Sequence, residues 1–486
     1  MKRIFQYFTI ASMAVALYSC DRDLLNPAPQ TAISDTLTAF DKPYRIANQV
    51  TALYTSLKGG AFYGGRYLVY GDIRGEDFLN LTNNLITNAD VWGLYASSSA
   101  TAVTGLWAQA YRTINSCNLF IDGMNTTGTA VVGTALSNNY LAEARLIRGL
   151  SYYSLLQYYA RPYADGNGSK LGLPLRLKGI STLGNSDMAR STVAEVYAQV
   201  LSDLNFAETN LPLTNGTAVL NTTRAHRNTA IALKTRVYLS MQKYGDVITE
   251  ANKIVPAAAP FTATTGVRDS LQADITTVFK TPYTSTESIF SLPFTTNTGD
   301  VPGTQNGLQI YYFASSTGAS SEFSLNPNGI LANTGWKTTD KRRSFIYTNT
   351  AGTRFLNKFP TASPADNSPV IRYAEVLLNL AEAKVRSTNT VDAQAVALLN
   401  AVRMRSDPTT SFTAASFATP TDLINAILLE RRIEFLGEGL RNNDLMRLLQ
   451  TIPAKGSAPS KTPNDDGYIW PASSAEKSLN KLWKDN

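Results

Sequence analysis

Two cysteines and one histidine are all that 486 residues offer of the side chains most used for metal, redox and proton-transfer chemistry. One histidine, His226 in "TTRAHRNTA", excludes an HExxH zinc site, which needs two; lying among arginines, it reads as structural or solvated. Cys117, in "YRTINSCNLF", has no activating base in its sequence context and reads as a small buried core residue. The chain contains no GxSxG nucleophile elbow and no GxxxxGK[ST] phosphate loop. No run of five basic residues occurs, so a formal charge of +7 is thinly spread and gives no nucleic-acid footprint. Beyond the first twenty residues, nothing approaches the eighteen unbroken apolar residues of a membrane span.

What is present fits a folded globular protein: 44% hydrophobic and 17% charged residues, in a chain long enough to bury a large core. The aromatics are 24 Tyr, 19 Phe and 5 Trp. Tyrosine combines a ring face with a hydroxyl, which suits cores and polar ligand surfaces alike.

The other cysteine, Cys20, ends a leader. Lys2 and Arg3 form a positive n-region and Ile4 to Tyr18 an apolar h-region of signal-peptide length. An AxA cleavage site is not obvious. Instead "LYSC" (Leu17 to Cys20) resembles a bacterial lipobox, with Tyr18 bulkier than usual. The expectation is a signal peptide over residues 1–19, acylation at Cys20, and an extended tether over 20–40. A diacylglycerol thioether plus an N-acyl chain supplies more than the two hydrophobic signals stable anchoring needs.

Three apolar stripes recur at helical intervals: Ala144, Ile147, Ser151, Leu155 and Tyr158; Ala230, Leu233, Val237, Met241 and Tyr244; Ala374, Leu377, Ala381 and Val385. After the second, the chain turns at Gly245 into another short helix, and "STNTVDAQAVALLNAVRMRS" follows the third likewise. Helix, short turn and helix, with alanine at the crossings, is the logic of tetratricopeptide-type units. "STVAEVYAQVLSDLNFAETNL" opens with a capping box of Thr192 and Glu195. Residues 60–104 and 256–369 are instead rich in Gly, Ser, Thr, Asn and aromatics, and "TESIFSLPF" alternates like a short strand. The body is therefore expected to be mainly α, with long loops and minor β structure on a helical frame. Long loops in compact folds usually carry function.

Six stretches, in order, resemble the SusD/RagB family, the outer-membrane nutrient-binding lipoproteins of Bacteroidetes. They are "CDRDLLNPAPQ", "WAQAYRTINSCNLFID", "LAEARLIRGLSYYSLLQYYARPY", "SPVIRYAEVLLNLAEAKV" with "LLNAVRMRS", "ERRIEFLGEGLRNNDLMR", and the tail "YIWPASSAEKSLN". The resemblance implies a SusD-like fold with four tetratricopeptide-like helix pairs. An N-terminal region over 41–215 and a C-terminal region over 216–486 would form one compact unit. It also implies a cell-surface place on the outer membrane, a SusC-type TonB-dependent transporter as partner, and no cofactor. The usual ligands are glycans, though RagB-like members are associated with peptides.

Glu430, Glu434 and Glu438 share one helix face, roughly 6 Å apart at Cβ, a separation compatible with paired glycosidase carboxylates. Arg431, Arg432, Arg441 and Arg447 interleave with Asp444, however, and such spacings make structural ion-pair networks that lower carboxylate pKa values. The expected role of Glu430, Arg431, Glu434, Glu438, Arg441 and Asp444 is structural. Glu143 with Arg145 and Arg148 reads the same way. A pyranose offers an apolar C–H face and a hydroxyl rim, which calls for flat aromatics beside polar side chains. Two loop regions supply that mixture. Asn83, Asn88, Asp90, Trp92 and Tyr95 in the first, and Tyr311, Tyr312 and Trp336 in the second, are the expected ligand contacts, while Tyr67 and Tyr70 read as core. Asp72, Glu76 and Asp77 form an acidic cluster whose spacing is not that of an EF-hand loop. Together these readings predict a non-catalytic protein that binds oligosaccharides and passes them to the transporter. A peptide-binding protein, an enzyme acting through Glu430 and a pure scaffold are the rival readings.

Overall fold

The computed structural model describes residues 38–485 apart from 183, 298, 304, 313–320 and 361–364. Cys20, the leader and most of the expected tether lie outside the described residues.

Helices of seven residues or more are numbered here in chain order: α1 (Pro43–Leu57), α2 (Arg66–Ile73), α3 (Thr101–Gly123), α4 (Thr134–Tyr159), α5 (Val193–Asn210), α6 (Arg227–Ser240), α7 (Tyr244–Ala251), α8 (Tyr373–Thr388), α9 (Ala393–Ser406), α10 (Pro420–Glu434) and α11 (Arg441–Arg447). Eight of them form one continuous array. α1 packs on α3, α3 on α4, and so on through α5, α6, α7 and α8 to α9, which makes four helix pairs. The connections within two of the pairs are short: residues 241–243 join α6 to α7, and 389–392 join α8 to α9.

Local sequence explains several boundaries. At the start of α5 the Thr192 hydroxyl accepts from the Glu195 N–H, and the Glu195 carboxylate accepts from the Thr192 N–H, satisfying two otherwise orphaned donors. α9 begins after Asp392, whose carboxylate accepts from the Ala395 N–H. The turn between α6 and α7 comes earlier than Gly245: the chain leaves the helix at Met241, Gln242 takes φ +57°, and Gly245 lies inside α7.

The stripe residues are buried except Tyr244, which begins α7 and is half-buried, and they are not the only buried positions on α4, α6 and α8. Lys234 and Arg236 of α6 are buried too, paired with Glu250 and Glu375. A helix in the middle of an array has neighbours on two sides, so its polar residues face partners rather than water. Cys117 and His226 are both in the interior. Burial pushes the Cys117 thiol up and lowers the His226 imidazole to about 4, which keeps both uncharged.

Three antiparallel strand pairs sit in the insertions. β1 (Phe78–Asn80) pairs with β3 (Phe323–Leu325), β2 (Ser288–Leu292) with β6 (Ser368–Arg372), and β4 (Ile346–Thr348) with β5 (Arg354–Leu356). β2 is the strand that "TESIFSLPF" suggests, but it is buried on both faces.

Candidate functional site

The glutamates of α10 and the loop after it are built into a buried lattice. Glu430 accepts from Arg342 at 2.5 Å. Glu434 accepts from Arg342 at 2.9 Å, Arg372 at 3.0 Å and Arg405 at 2.6 Å. Glu438 accepts from Arg372 at 2.7 Å and Lys358 at 2.8 Å. Arg431 and Arg447 both donate to Asp444, and Arg441 donates to Glu76. Burial alone would raise Glu434, but the guanidiniums of Arg405, Arg372 and Arg342 overcome it and hold the carboxyl well below its ordinary range. Burial also opposes ionisation of Asp444, yet Arg431 and Arg447 hold it down at about 2. These carboxylates are closed to solvent and cannot reach a glycosidic bond. The acidic cluster is committed as well. Asp72 accepts from Tyr312 and the Gly439 N–H, Asp77 accepts from Arg432, and Glu76 from Arg441.

The expected loop contacts divide, and four of the aromatics require correction. Trp92 is 6% exposed and donates its Nε1–H to the Phe78 carbonyl at 2.8 Å. Trp336 is 2% exposed, with the Arg343 guanidinium 4.2 Å over its ring. Tyr311 and Tyr312 are fully buried, their hydroxyls donating to the Gln305 carbonyl and to Asp72. All four rings are core, and none offers a face to a ligand. Apolar ring area is worth more inside than on a loop surface, and each structure-forming hydrogen bond here is internal. Asn88 and Asp90 are also buried, Asp90 beside the Val91 N–H. Asn83 is exposed at φ +51°, its N–H donating to the Asn80 side chain. Tyr95 is the exception among the aromatics, at 64% exposed.

Tyr95 stands at an open cleft of about 910 Å³. Three segments form its walls: residues 94–96 ahead of α3, 161–171 after α4, and 461–485 at the C-terminal end. The Tyr95 N–H donates to the Asp90 carbonyl, and Leu94 before it takes φ +61°. Gly467 of the third segment, at φ +86°, comes so close to the Leu94 carbonyl oxygen that a Cβ there would lie 2.2 Å from it. Only a residue without a side chain allows the two walls to meet in this way.

Arg161 ties the second wall to the third. Its Nε donates to Asp165 at 2.5 Å, its Nη1 donates to the Pro463 carbonyl, and its guanidinium lies 5.4 Å from the Tyr468 ring. Trp470 is buried in the wall with its ring 4.7 Å from that of Tyr158. Trp483 stands edge-on to Trp107 at 5.7 Å, with the Arg190 guanidinium 4.5 Å over its ring, and donates to Asp485 at 3.0 Å. The C-terminal tail is clasped to the loop before α5. Arg176 pairs with Glu476, Ser186 donates to the Leu479 carbonyl, and the Met188 N–H donates to Asn480. The cleft thus combines an exposed ring, lysine ammonium groups at Lys170 and Lys461, and the Asn464 amide. Such a surface can stack the C–H face of a sugar and hydrogen-bond its hydroxyls.

Of the expected contacts, only Tyr95 lines this cleft. Arg161, Lys170, Lys461 and Trp483 are new to it. The signal for Trp483 was available: in "NKLWKDN" it has the same polar surroundings that single out Trp92 and Trp336.

Comparison with known proteins gives two family profiles that match this chain. One, described as the SusD family, covers residues 332–483. The other, described as starch-binding associating with outer membrane, covers residues 28–239. The chain is 24% identical to SusD-like protein P38 of Formosa agariphila over 97% of its own length and 96% of that protein's. A SusD superfamily protein from Bacteroides fragilis has a similar structure, with a TM-score of 0.81 and 30% identity over 91% of this chain and 99% of that one. A SusD-like carbohydrate binding protein from Bacteroides vulgatus shares the fold, with a TM-score of 0.74 and 19% identity over 91% of this chain and 97% of that one.

Proposed function

This chain belongs to the SusD superfamily, and from that premise we propose that it is a lipid-anchored, non-catalytic protein of the cell surface. It binds oligosaccharides in the Tyr95 cleft and delivers them to a SusC-type TonB-dependent transporter in the outer membrane.

The observation that carries the reading is the cleft itself: about 910 Å³ of open volume with the Tyr95 ring presented to solvent at its edge. A large tyrosine ring left 64% exposed forgoes burial that the other loop aromatics obtain. The description of one matching family as starch-binding and outer-membrane-associated supports a glycan ligand. So does the carbohydrate-binding relative from Bacteroides vulgatus. The closed state of Glu430, Glu434 and Glu438, the carboxylates that a glycosidase reading would use, supports the non-catalytic reading.

Anchoring through Cys20 fits the placement of the body. Phe40 packs against Phe120 and against Gly123 at the C-terminal end of α3, whereas Tyr95 precedes its N-terminal end. At 1.5 Å per residue, α3 is roughly 34 Å long. A tether entering at Phe40 meets α3 at the end away from the Tyr95 segment. Modest affinity suffices in this arrangement, because anchoring and partner docking raise the local concentration.

A binding screen of the detergent-solubilised full chain against oligosaccharides and peptides tests the proposal. Retention of glycans, lost in Tyr95→Ala, is the expected result. Retention of peptides with no glycan bound overturns it.

A further inference from the structure

We propose that Arg74 is a positioning residue of the Tyr95 cleft: from behind the C-terminal wall it fixes where that wall stands relative to the segment carrying Tyr95, so that an oligosaccharide meets both at once. The inference rests on the glycan-binding reading of the same cleft and adds to it a residue outside the lining.

Arg74 caps the C-terminal end of α2 and is 1% exposed. Its Nη2 donates to the Tyr468 carbonyl at 2.6 Å and to the Gly467 carbonyl at 3.4 Å, and its Nε donates to the Asn442 side chain at 2.8 Å. Asn442 lies in α11, which packs against α2, and donates in turn to the Gln157 carbonyl of α4 at 3.3 Å. The grip is returned through the main chain. Lys455, also buried, donates from Nζ to the Arg74 carbonyl at 2.9 Å and the Gly75 carbonyl at 2.7 Å. Main-chain bonds between Ile452 and Lys461, and between Lys455 and Ala458, carry that hold along the chain to the wall.

Neither contact is an ion pair. Among the described residues no carboxylate pairs with Arg74, and burial lowers its guanidinium to about 10, with only Tyr158 and Tyr468 opposing. A buried cation without a counter-ion is costly, and its fixed fork is worth keeping where it holds groups that an apolar side chain would leave unpaired. Here those groups are the two carbonyls that set the path of the wall. Gly467, at φ +86°, is the residue that meets the Leu94 carbonyl oxygen, one position before Tyr95. The wall has further anchors. The Trp470 N–H donates to the Tyr158 carbonyl at 2.7 Å, and Arg161 donates to the Pro463 carbonyl. Loss of Arg74 therefore loosens the stretch between these anchors rather than releasing the whole segment. A ligand would then have to order that stretch itself, and ordering on binding is subtracted from affinity.

Arg74→Gln in the full chain, held in detergent micelles, tests this with two readings on one preparation. Without ligand, amide hydrogen exchange should quicken in residues 464–469 and 94–96 and stay as in the wild type in α4 and α8. With maltoheptaose as the first probe, and the oligosaccharides of the binding screen behind it, affinity should fall about 3- to 10-fold. Arg74→Lys should lie between the two, because an ammonium keeps the charge but not the fork. Trp336→Ala, a core variant outside the cleft lining, controls for stability alone: it should lower the denaturant midpoint and keep wild-type affinity. If Arg74→Gln does not fold, Lys455→Gln weakens the returning grip and should show the same two changes. Unchanged exchange in residues 464–469 overturns the inference, and so does a loss of affinity in Trp336→Ala equal to that in Arg74→Gln. Binding that is lost in Tyr95→Ala but untouched in Arg74→Gln overturns the inference and leaves the glycan reading standing. Failure of the wild type to bind any glycan overturns both.

Discussion

The ring of Tyr95 lies against the backbone of Gly93, where a methyl group would come within 2.2 Å of its Cε1 atom. Gly93 has φ −74°, a conformation any residue adopts, so alanine there strains no backbone torsion and only displaces the exposed ring. Gly93→Ala is expected to weaken glycan affinity about 3- to 10-fold, the worth of one aromatic contact, with the melting temperature unchanged or slightly raised. Calorimetric titration and thermal unfolding on the same preparation check this.

Trp92 and Trp336 behave differently. Both are core residues, so truncation to alanine leaves a cavity and costs about 3–5 kcal/mol of stability. Denaturant midpoints should fall in both variants, while the fraction that remains folded binds glycan with unchanged affinity.

Removing Glu434 leaves Arg342, Arg372 and Arg405 facing one another in the interior. Glu434→Ala is expected to cost about 3–5 kcal/mol, the range for breaking a buried pair from one side. Equilibrium unfolding in urea measures the loss. A variant as stable as the wild type would show that the lattice is not what holds α10 to α8 and α9.

Burial pushes the Asp72 carboxyl up to about 8, with hydrogen bonds from Tyr312 and Gly439 offsetting part of the effect. In the unfolded chain an aspartate titrates at about 3.9. Between these values the native state keeps a proton that the unfolded state has lost. Stability from this group is therefore complete below about pH 4 and falls as pH rises towards about 8. Asp269, pushed up to about 7 by burial, adds the same sign. Unfolding free energies from pH 5 to 8 should decline with pH, and Asp72→Asn should flatten that slope by about one proton.

The frame was legible in the sequence where its causes are local. The Thr192 and Glu195 box is two residues completing each other's hydrogen bonds within one turn, so a short stretch of sequence carries the whole signal. The alternation of Glu430, Glu434 and Glu438 with arginines likewise announces a network, though its partners Arg342, Arg372 and Arg405 come from far along the chain. The cleft was not legible, because its walls come from segments around residues 95, 165 and 470 that only the helical array brings together. Trp92, Trp336 and Trp483 have similar sequence neighbours. Their burial is decided by what packs over them: Phe78 and Gly456 over Trp92, Arg343 over Trp336, and an open cleft beside Trp483. Polar neighbours in sequence do not reveal which side of a loop faces inward.

The measurement that bears most directly on the Tyr95 cleft is amide hydrogen exchange of the full chain with and without a bound oligosaccharide. The expected result is added protection in residues 94–96, 161–171 and 461–472, with the segments around Asn83 and Tyr311 unchanged. Protection confined to residues 80–90 and 305–312, with the cleft walls exchanging as before, would contradict the assignment and return the site to the loops that carry Asn83 and Tyr311.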